Sequence, residues 1–112
     1  MMKDKRYGGS EKRTYIRIGY RTENRPKLKI GENDFDVVDI SESGIRIVNH
    51  KKGKLGKRLH GTITLLCGES VAIDGDMVWE KNDEFGLLLK RLIPPEDMEK
   101  EKKYVILKLA AY

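Results

Sequence analysis

Apolar residues in this chain recur at every second position in short runs, and residues that favour turns separate the runs. Strict alternation of this kind is the pattern of strands with one face buried and the other in water. In the first run, starting at Thr14, Ile16, Ile18 and Tyr20 share one face while Arg13, Tyr15, Arg17 and Arg21 share the other. Asn24-Arg25-Pro26 interrupts that run, and Gly31-Glu32-Asn33-Asp34 reads as a turn before a strand over residues 35–40. Residues 45–48 form the next strand, with Ile45 and Ile47 on one face. Residues 70–80 and 84–90 are two further strands joined by the short turn Lys81-Asn82-Asp83, with Gly75 marking a bulge or a barrel bend. Within such a strand Trp79 reads as a packing residue rather than a stacking platform.

After Ile93 the period changes. Pro94-Pro95-Glu96-Asp97 is a helix start, because proline fits a first turn and carboxylates favour the positive end of the helix dipole. Met98, Val105 and Leu109 then recur at helical spacing. The predicted fold is all-β: several short antiparallel strands closed into a small barrel, covered by one C-terminal helix.

Size sets the domain count. With 112 residues, 38% of them hydrophobic, the chain is long enough for one core and too short for two ordinary domains. Residues 1–11 have the composition of a flexible basic segment, and residues 12–112 form the expected single domain. The lone Cys67 excludes an intramolecular disulfide, and the N-terminus leads into no apolar run, so a reducing cytoplasmic location without a membrane span is expected. The net charge of +5 is concentrated upstream: residues 1–29 carry ten Lys/Arg against three Asp/Glu. That end is the one that attracts anions.

Two stretches carry the chemistry. Arg13 and Arg17 are four residues apart, which puts both guanidinium groups on one side of either a strand or a helix. Downstream, Asp39-Ile40-Ser41-Glu42-Ser43-Gly44 sets a carboxylate and a hydroxyl on one face of an extended backbone, and Gly44 permits a sharp turn or close backbone approach. The first is rich in donors and the second in acceptors, a combination suited to clamping an anion. Arg-x-x-x-Arg followed by Asp-x-Ser-x-x-Gly resembles the paired motif of PilZ domains, receptors for the bacterial second messenger cyclic di-GMP. Gly75-Asp-Met-Val-Trp79 and Phe85-Gly-Leu-Leu-Leu89 are similar to the family's late strand pair, so the resemblance runs from about residue 10 to the end. It implies a six-stranded antiparallel barrel with a terminal helix, and a ligand site made by Arg13, Arg17, Asp39, Ser41 and Gly44.

Guanidinium groups suit phosphate bidentately and also suit the O6/N7 edge of guanine, whereas guanine's N1-H and amino group require an acceptor such as the Asp39 carboxylate. Ser41 adds a hydroxyl contact, and Gly44 keeps the floor free of a side chain. Ser43 departs from the resemblance by standing where many relatives have a second glycine. Lys12 precedes the first arginine, at a position that varies across the family and is linked to whether one ligand or a stacked pair binds. A cation there would help to offset four negative charges, which favours the pair.

Other features read as structural. Lys51-Lys52-Gly53-Lys54-Leu55-Gly56-Lys57-Arg58 lacks the order of a Walker loop and reads as a solvated connection. His50 and His60 do not make zinc-ligand spacing beside one cysteine, and Cys67 without a base partner reads as a packed thiol. Arg6 and Tyr7 belong to a solvated tail unless that tail closes over a ligand. The expected function is a stand-alone signalling receptor for cyclic di-GMP that acts on an effector protein, with no catalytic residue, metal or cofactor. The alternatives are a PilZ-like adaptor that binds protein without nucleotide, and a small basic barrel for nucleic acid. The latter is disfavoured because only 7% of residues are aromatic and most of those fall in strands.

Overall fold

The computed structural model describes residues 16–50 and 55–109. Among the described residues seven strands precede one helix: β1 (Arg17–Gly19), β2 (Lys27–Ile30), β3 (Asn33–Ser41), β4 (Gly44–Val48), β5 (Arg58–Thr64), β6 (Ser70–Lys81), β7 (Glu84–Leu89) and α1 (Pro95–Tyr104), which runs into a π-helical turn over Val105–Leu109. Alternation decides what each strand buries. Ile18, Leu28, Ile40, Ile47 and Ile63 are fully buried, and Phe35 packs edge-on against Phe85 with ring centroids 6.4 Å apart.

All pairings are antiparallel. β3 pairs with β2, β2 with β5, β5 with β6, β6 with β7, β7 with β4, and β4 returns to β3, which closes a six-stranded barrel. The extra strand, β1, pairs with β3 through Arg17↔Ser41 and Gly19↔Asp39. Because Asp39 pairs with β4 on its other side, β1 continues along the edge of β3 that β2 occupies further down. The two are one interrupted strand, and residues 21–26 loop out between them, as Asn24-Arg25-Pro26 led one to expect. Hydrogen bonds from Tyr20 N–H to the Val38 carbonyl (2.9 Å) and from Val37 N–H to the Pro26 carbonyl (3.0 Å) tie down the two ends of the loop.

Several boundaries differ from the expectation. β2 is too short to show a period, with one fully buried side chain, Leu28, so alternation gave it no signal. The turn into β3 is only Gly31-Glu32, because Ile30 already pairs with Asn33; Gly31 has φ +63°, a left-handed conformation suited to the first position of a two-residue hairpin. The β6–β7 turn is likewise Asn82-Asp83, with Asn82 at φ +59°. Gly75 is not the bulge: the register shifts between Met77 and Trp79, and Gly75 sits where β6 passes from pairing with β5 to pairing with β7. A Cβ at Gly75 would lie 2.8 Å from the Leu88 carbonyl oxygen, so close approach excludes a side chain there.

Pro95 occupies the first turn of α1 with Glu96 and Asp97, and Met98 and Val105 are buried against the barrel with Ile93. Between them in the same stripe lies Glu101, 0% exposed. Its carboxylate accepts hydrogen bonds from the Tyr20 hydroxyl (2.6 Å) and from the backbone N–H groups of Leu66 (3.0 Å) and Cys67 (2.9 Å). One carboxylate therefore joins the helix, the residue after β1 and the loop after β5. Among the described residues no helix is long and apolar enough to cross a membrane.

Candidate functional site

Strand register assembles a row of residues across five strands. Gly19 of β1 pairs with Asp39 of β3, Asp39 with Arg46 of β4, Arg46 with Gly86 of β7, and Gly86 with Trp79 of β6. Directly paired residues project from the same face of a sheet, so the row presents a carboxylate, a guanidinium and an indole side by side. Two glycines keep it open. The Trp79 ring lies over Gly86, where an added Cβ would come within 2.2 Å of Nε1. Trp79 thus packs between strands, as its strand position suggests, yet it is not in the core: it is 42% exposed at the rim of a cleft.

That cleft is lined by Arg17, Asp39, Gly44, Ile45, Arg46, Trp79, Gly86 and Leu87 and encloses about 220 Å³. Small-molecule pockets hold roughly 300–1,000 Å³, so this cleft is small, and it opens to solvent as a shelf. A second cleft of about 530 Å³ adjoins it, sharing Arg46 and Trp79 and extending over Val48 and Lys81-Asn82-Asp83-Glu84.

Asp39 is the centre of the charge arrangement. Arg17 Nη1 donates to Asp39 Oδ1 at 3.0 Å, and Arg46 Nε lies 3.2 Å from Asp39 Oδ2 and 3.6 Å from Glu84 Oε1. The Asp39 side chain is 15% exposed while that of Arg17 is 68% exposed, so the carboxylate is held in place and the arginine reaches over it from solvent.

The turn beside them is built by its own side chain. Gly44 N–H donates to Ser41 Oγ at 3.1 Å, and the hydroxyl lies 3.4 Å from the Gly44 carbonyl oxygen, to which it donates. Ser41 is 6% exposed and so spends its hydroxyl on the turn. Gly44 is there for close approach: its φ is not left-handed, and an added Cβ would sit 3.3 Å from the Leu87 carbonyl oxygen. Leu89 N–H donates to the Ser43 carbonyl (2.8 Å) and Ile93 N–H to the Glu42 carbonyl (2.9 Å), which ties the turn to the chain leading into α1.

Of the residues expected at the site, Arg17, Asp39, Ser41 and Gly44 converge. Lys12 and Arg13 lie outside the described residues, as do Arg6, Tyr7, Lys51, Lys52 and Lys54. Arg46 was missed, although its signal was present: if Ile45 and Ile47 face the core, Arg46 faces away on the side of Asp39. His50 and His60 stand instead beside carboxylates elsewhere on the barrel, at 3.6 Å from Asp36 and 3.5 Å from Asp74. The Asp36 carboxyl is held below its usual range first by the hydrogen bond from Lys27, and Asp74 first by that from Arg58. Burial pushes the Cys67 thiol up, in keeping with a packed rather than nucleophilic sulfur.

A family model for the PilZ domain matches residues 11–107, a span that takes in both motifs and the whole barrel. The chain belongs to the PilZ domain family. PilZ domains are cyclic di-GMP receptors and adaptors, typically binding modules without catalysis. Among solved structures, that of an uncharacterized protein from Legionella matches this PilZ domain over 86% of this chain and 94% of that chain, with a TM-score of 0.59 and 18% identity. At that identity the two share the fold. No curated protein matches the chain.

Proposed function

We propose that this PilZ domain binds cyclic di-GMP on the shelf around Asp39 and acts as a stand-alone receptor that passes the signal to an effector protein. The observation that carries the reading is the Arg17–Asp39 pair, 3.0 Å apart at the edge of an open cleft beside an exposed indole. Acceptor, cation and flat apolar surface are the three groups that a guanine nucleotide requires. The Asp39 carboxylate suits guanine's N1-H and amino donors, Arg17 with Arg13 suits phosphate or the O6/N7 edge, and Trp79 offers a face for a base. Ser41 serves mainly by shaping the turn, and Lys12 favours a stacked pair of ligands. The carbonyl of Glu42 and the hydroxyl of Tyr20 both lead to α1, which supports the helix as the element that conveys occupancy to a partner.

Calorimetric titration with cyclic di-GMP and cyclic di-AMP tests the reading. Arg17→Ala removes a contact worth about 1–3 kcal/mol, so affinity for cyclic di-GMP should fall roughly 5-fold to over 100-fold. Asp39→Ala should abolish the preference for guanine and leave the weaker binding of cyclic di-AMP little changed. Equal effects of Asp39→Ala on both dinucleotides would show that Asp39 does not read guanine, and absence of heat with the unmodified protein would favour a nucleotide-independent adaptor. Steep loss of binding with salt is the mark of a polynucleotide partner instead. A stoichiometry near two ligands per domain is expected from Lys12.

A further inference from the structure

Asp39 has two arginines beside it, and the two donors of a guanine would compete with them for the same carboxylate oxygens. We propose that Arg46 is the positioning residue for Asp39: it remains as the fixed counter-ion of the carboxylate when Arg17 turns to the ligand. The inference rests on the cyclic di-GMP reading given above and assigns a role to a residue outside both PilZ motifs.

The two arginines differ in how firmly they are held. Arg17 lies on a three-residue strand paired with β3, and its side chain is mostly in water. Arg46 is in the middle of β4, with its backbone paired to Asp39 on one side and to Gly86 on the other. Its guanidinium stands between two carboxylates, Asp39 and Glu84, and its side chain is less exposed than that of Arg17, 43% against 68%. Arg17 is therefore the mobile partner and Arg46 the stationary one.

Charge points the same way. Guanine offers Asp39 only neutral donors, and the ligand brings two anionic phosphates with it. With Arg17 as its one counter-ion, a carboxylate as little hydrated as Asp39 could not cheaply release it to such a ligand. Arg46 removes that cost, because its Nε stays 3.2 Å from Oδ2 when Oδ1 is released by Arg17.

The same atom has an unmet bond. Arg46 Nε is buried and makes no hydrogen bond, standing between Asp39 Oδ2 and Glu84 Oε1 but aligned with neither. Once Arg17 departs, a small rotation of the Asp39 carboxyl completes that bond. The rotation also sets the carboxylate plane, on which bidentate acceptance from N1-H and the amino group depends. Arg46 acts through Asp39 and so governs guanine preference more than overall attraction.

The full chain, its Arg46→Gln and Arg46→Lys variants, and each of these combined with Asp39→Ala are titrated by calorimetry with cyclic di-GMP and with cyclic di-AMP, after ligand-free melting of each. Arg46→Gln is expected to lower the ratio of the two affinities roughly tenfold, the scale of coupling between contacting residues, and Arg46→Lys to lower it less. In the Asp39→Ala background neither change at residue 46 should alter the ratio further. Should Arg46→Gln melt early, Arg46→Lys and its double variant carry the same comparison. If Asp39→Ala abolishes guanine preference and the Arg46 variants keep it, the role of Arg46 is refuted while the cyclic di-GMP reading stands. Equal weakening of both ligands that persists without Asp39 would mean that Arg46 touches the ligand itself, and it overturns the inference too. Failure of the unmodified protein to bind cyclic di-GMP overturns the reading underneath.

Discussion

Replacing Tyr20 with phenylalanine deletes one oxygen from a site that joins three elements. The hydroxyl is almost wholly buried and donates at 2.6 Å to Glu101, which has no solvent exposure. A hydrogen bond to a charged acceptor is worth about 1.5–3 kcal/mol net, and in a domain of this size each 1 kcal/mol moves the melting temperature by about 4–8 °C. The expected fall is thus on the order of 10 °C, read by circular dichroism. Glu101→Gln should also destabilise, because the carboxylate accepts from donors on both oxygens and an amide presents N–H groups to one of them. The double variant should lose less than the two losses added. Burial first, and then the Glu101 carboxylate, push the Tyr20 hydroxyl far above its ordinary value. The unfolded chain ionises this tyrosine near pH 10 while the folded one holds its proton, so its contribution to stability is complete below that pH and declines above it by up to about 1.4 kcal/mol per unit. Tyr20→Phe should lack this slope, and the difference curve isolates it from the lysines. A melting temperature within about 2 °C of the unmodified protein, or an identical alkaline decline, would refute the bond to Glu101 as a stabilising link.

Gly61→Ala should destabilise by about 1–3 kcal/mol, because its Cβ would lie 2.3 Å from the Lys29 carbonyl oxygen and β2 would have to move away from β5; chemical denaturation checks this. Gly86→Ala meets a side chain instead of backbone, so the barrel should melt within a few degrees of normal while the Trp79 indole lifts off, seen as a shift in tryptophan emission and a change in cyclic di-GMP affinity. Asp36→Asn should cost stability at neutral pH and none in acid: the depressed carboxyl stabilises the fold above its unfolded value near 4 and loses that contribution as pH falls through the folded one, measured by denaturation between pH 2 and 7 as about 1 kcal/mol or less for so exposed a pair.

Much of the site was legible because its parts are local. Asp39, Ser41 and Gly44 fall within six residues, and the turn that Ser41 closes onto Gly44 uses only their own atoms. Arg17 was legible by its place opposite the apolar face of Ile16, Ile18 and Tyr20. For Trp79 the strand pattern gave packing but not its exposure at the cleft: alternation cannot reveal that Gly86, on the next strand, leaves a shelf for an indole.

The amino-acid order alone determined the faces. Period-two runs specify which side chains point inward, the turn residues mark where strands end, and Pro94-Pro95-Glu96-Asp97 starts the helix, since each signal is a property of a few consecutive residues. Tertiary structure decided which faces meet. That Arg46 stands opposite Asp39, that β1 and β2 are one strand broken over residues 21–26, and that Glu101 reaches Tyr20 across 81 positions depend on register between distant segments. Register is set by closing six strands around a single core, where a one-residue slip would turn every apolar face outward, and no local stretch of sequence contains that constraint.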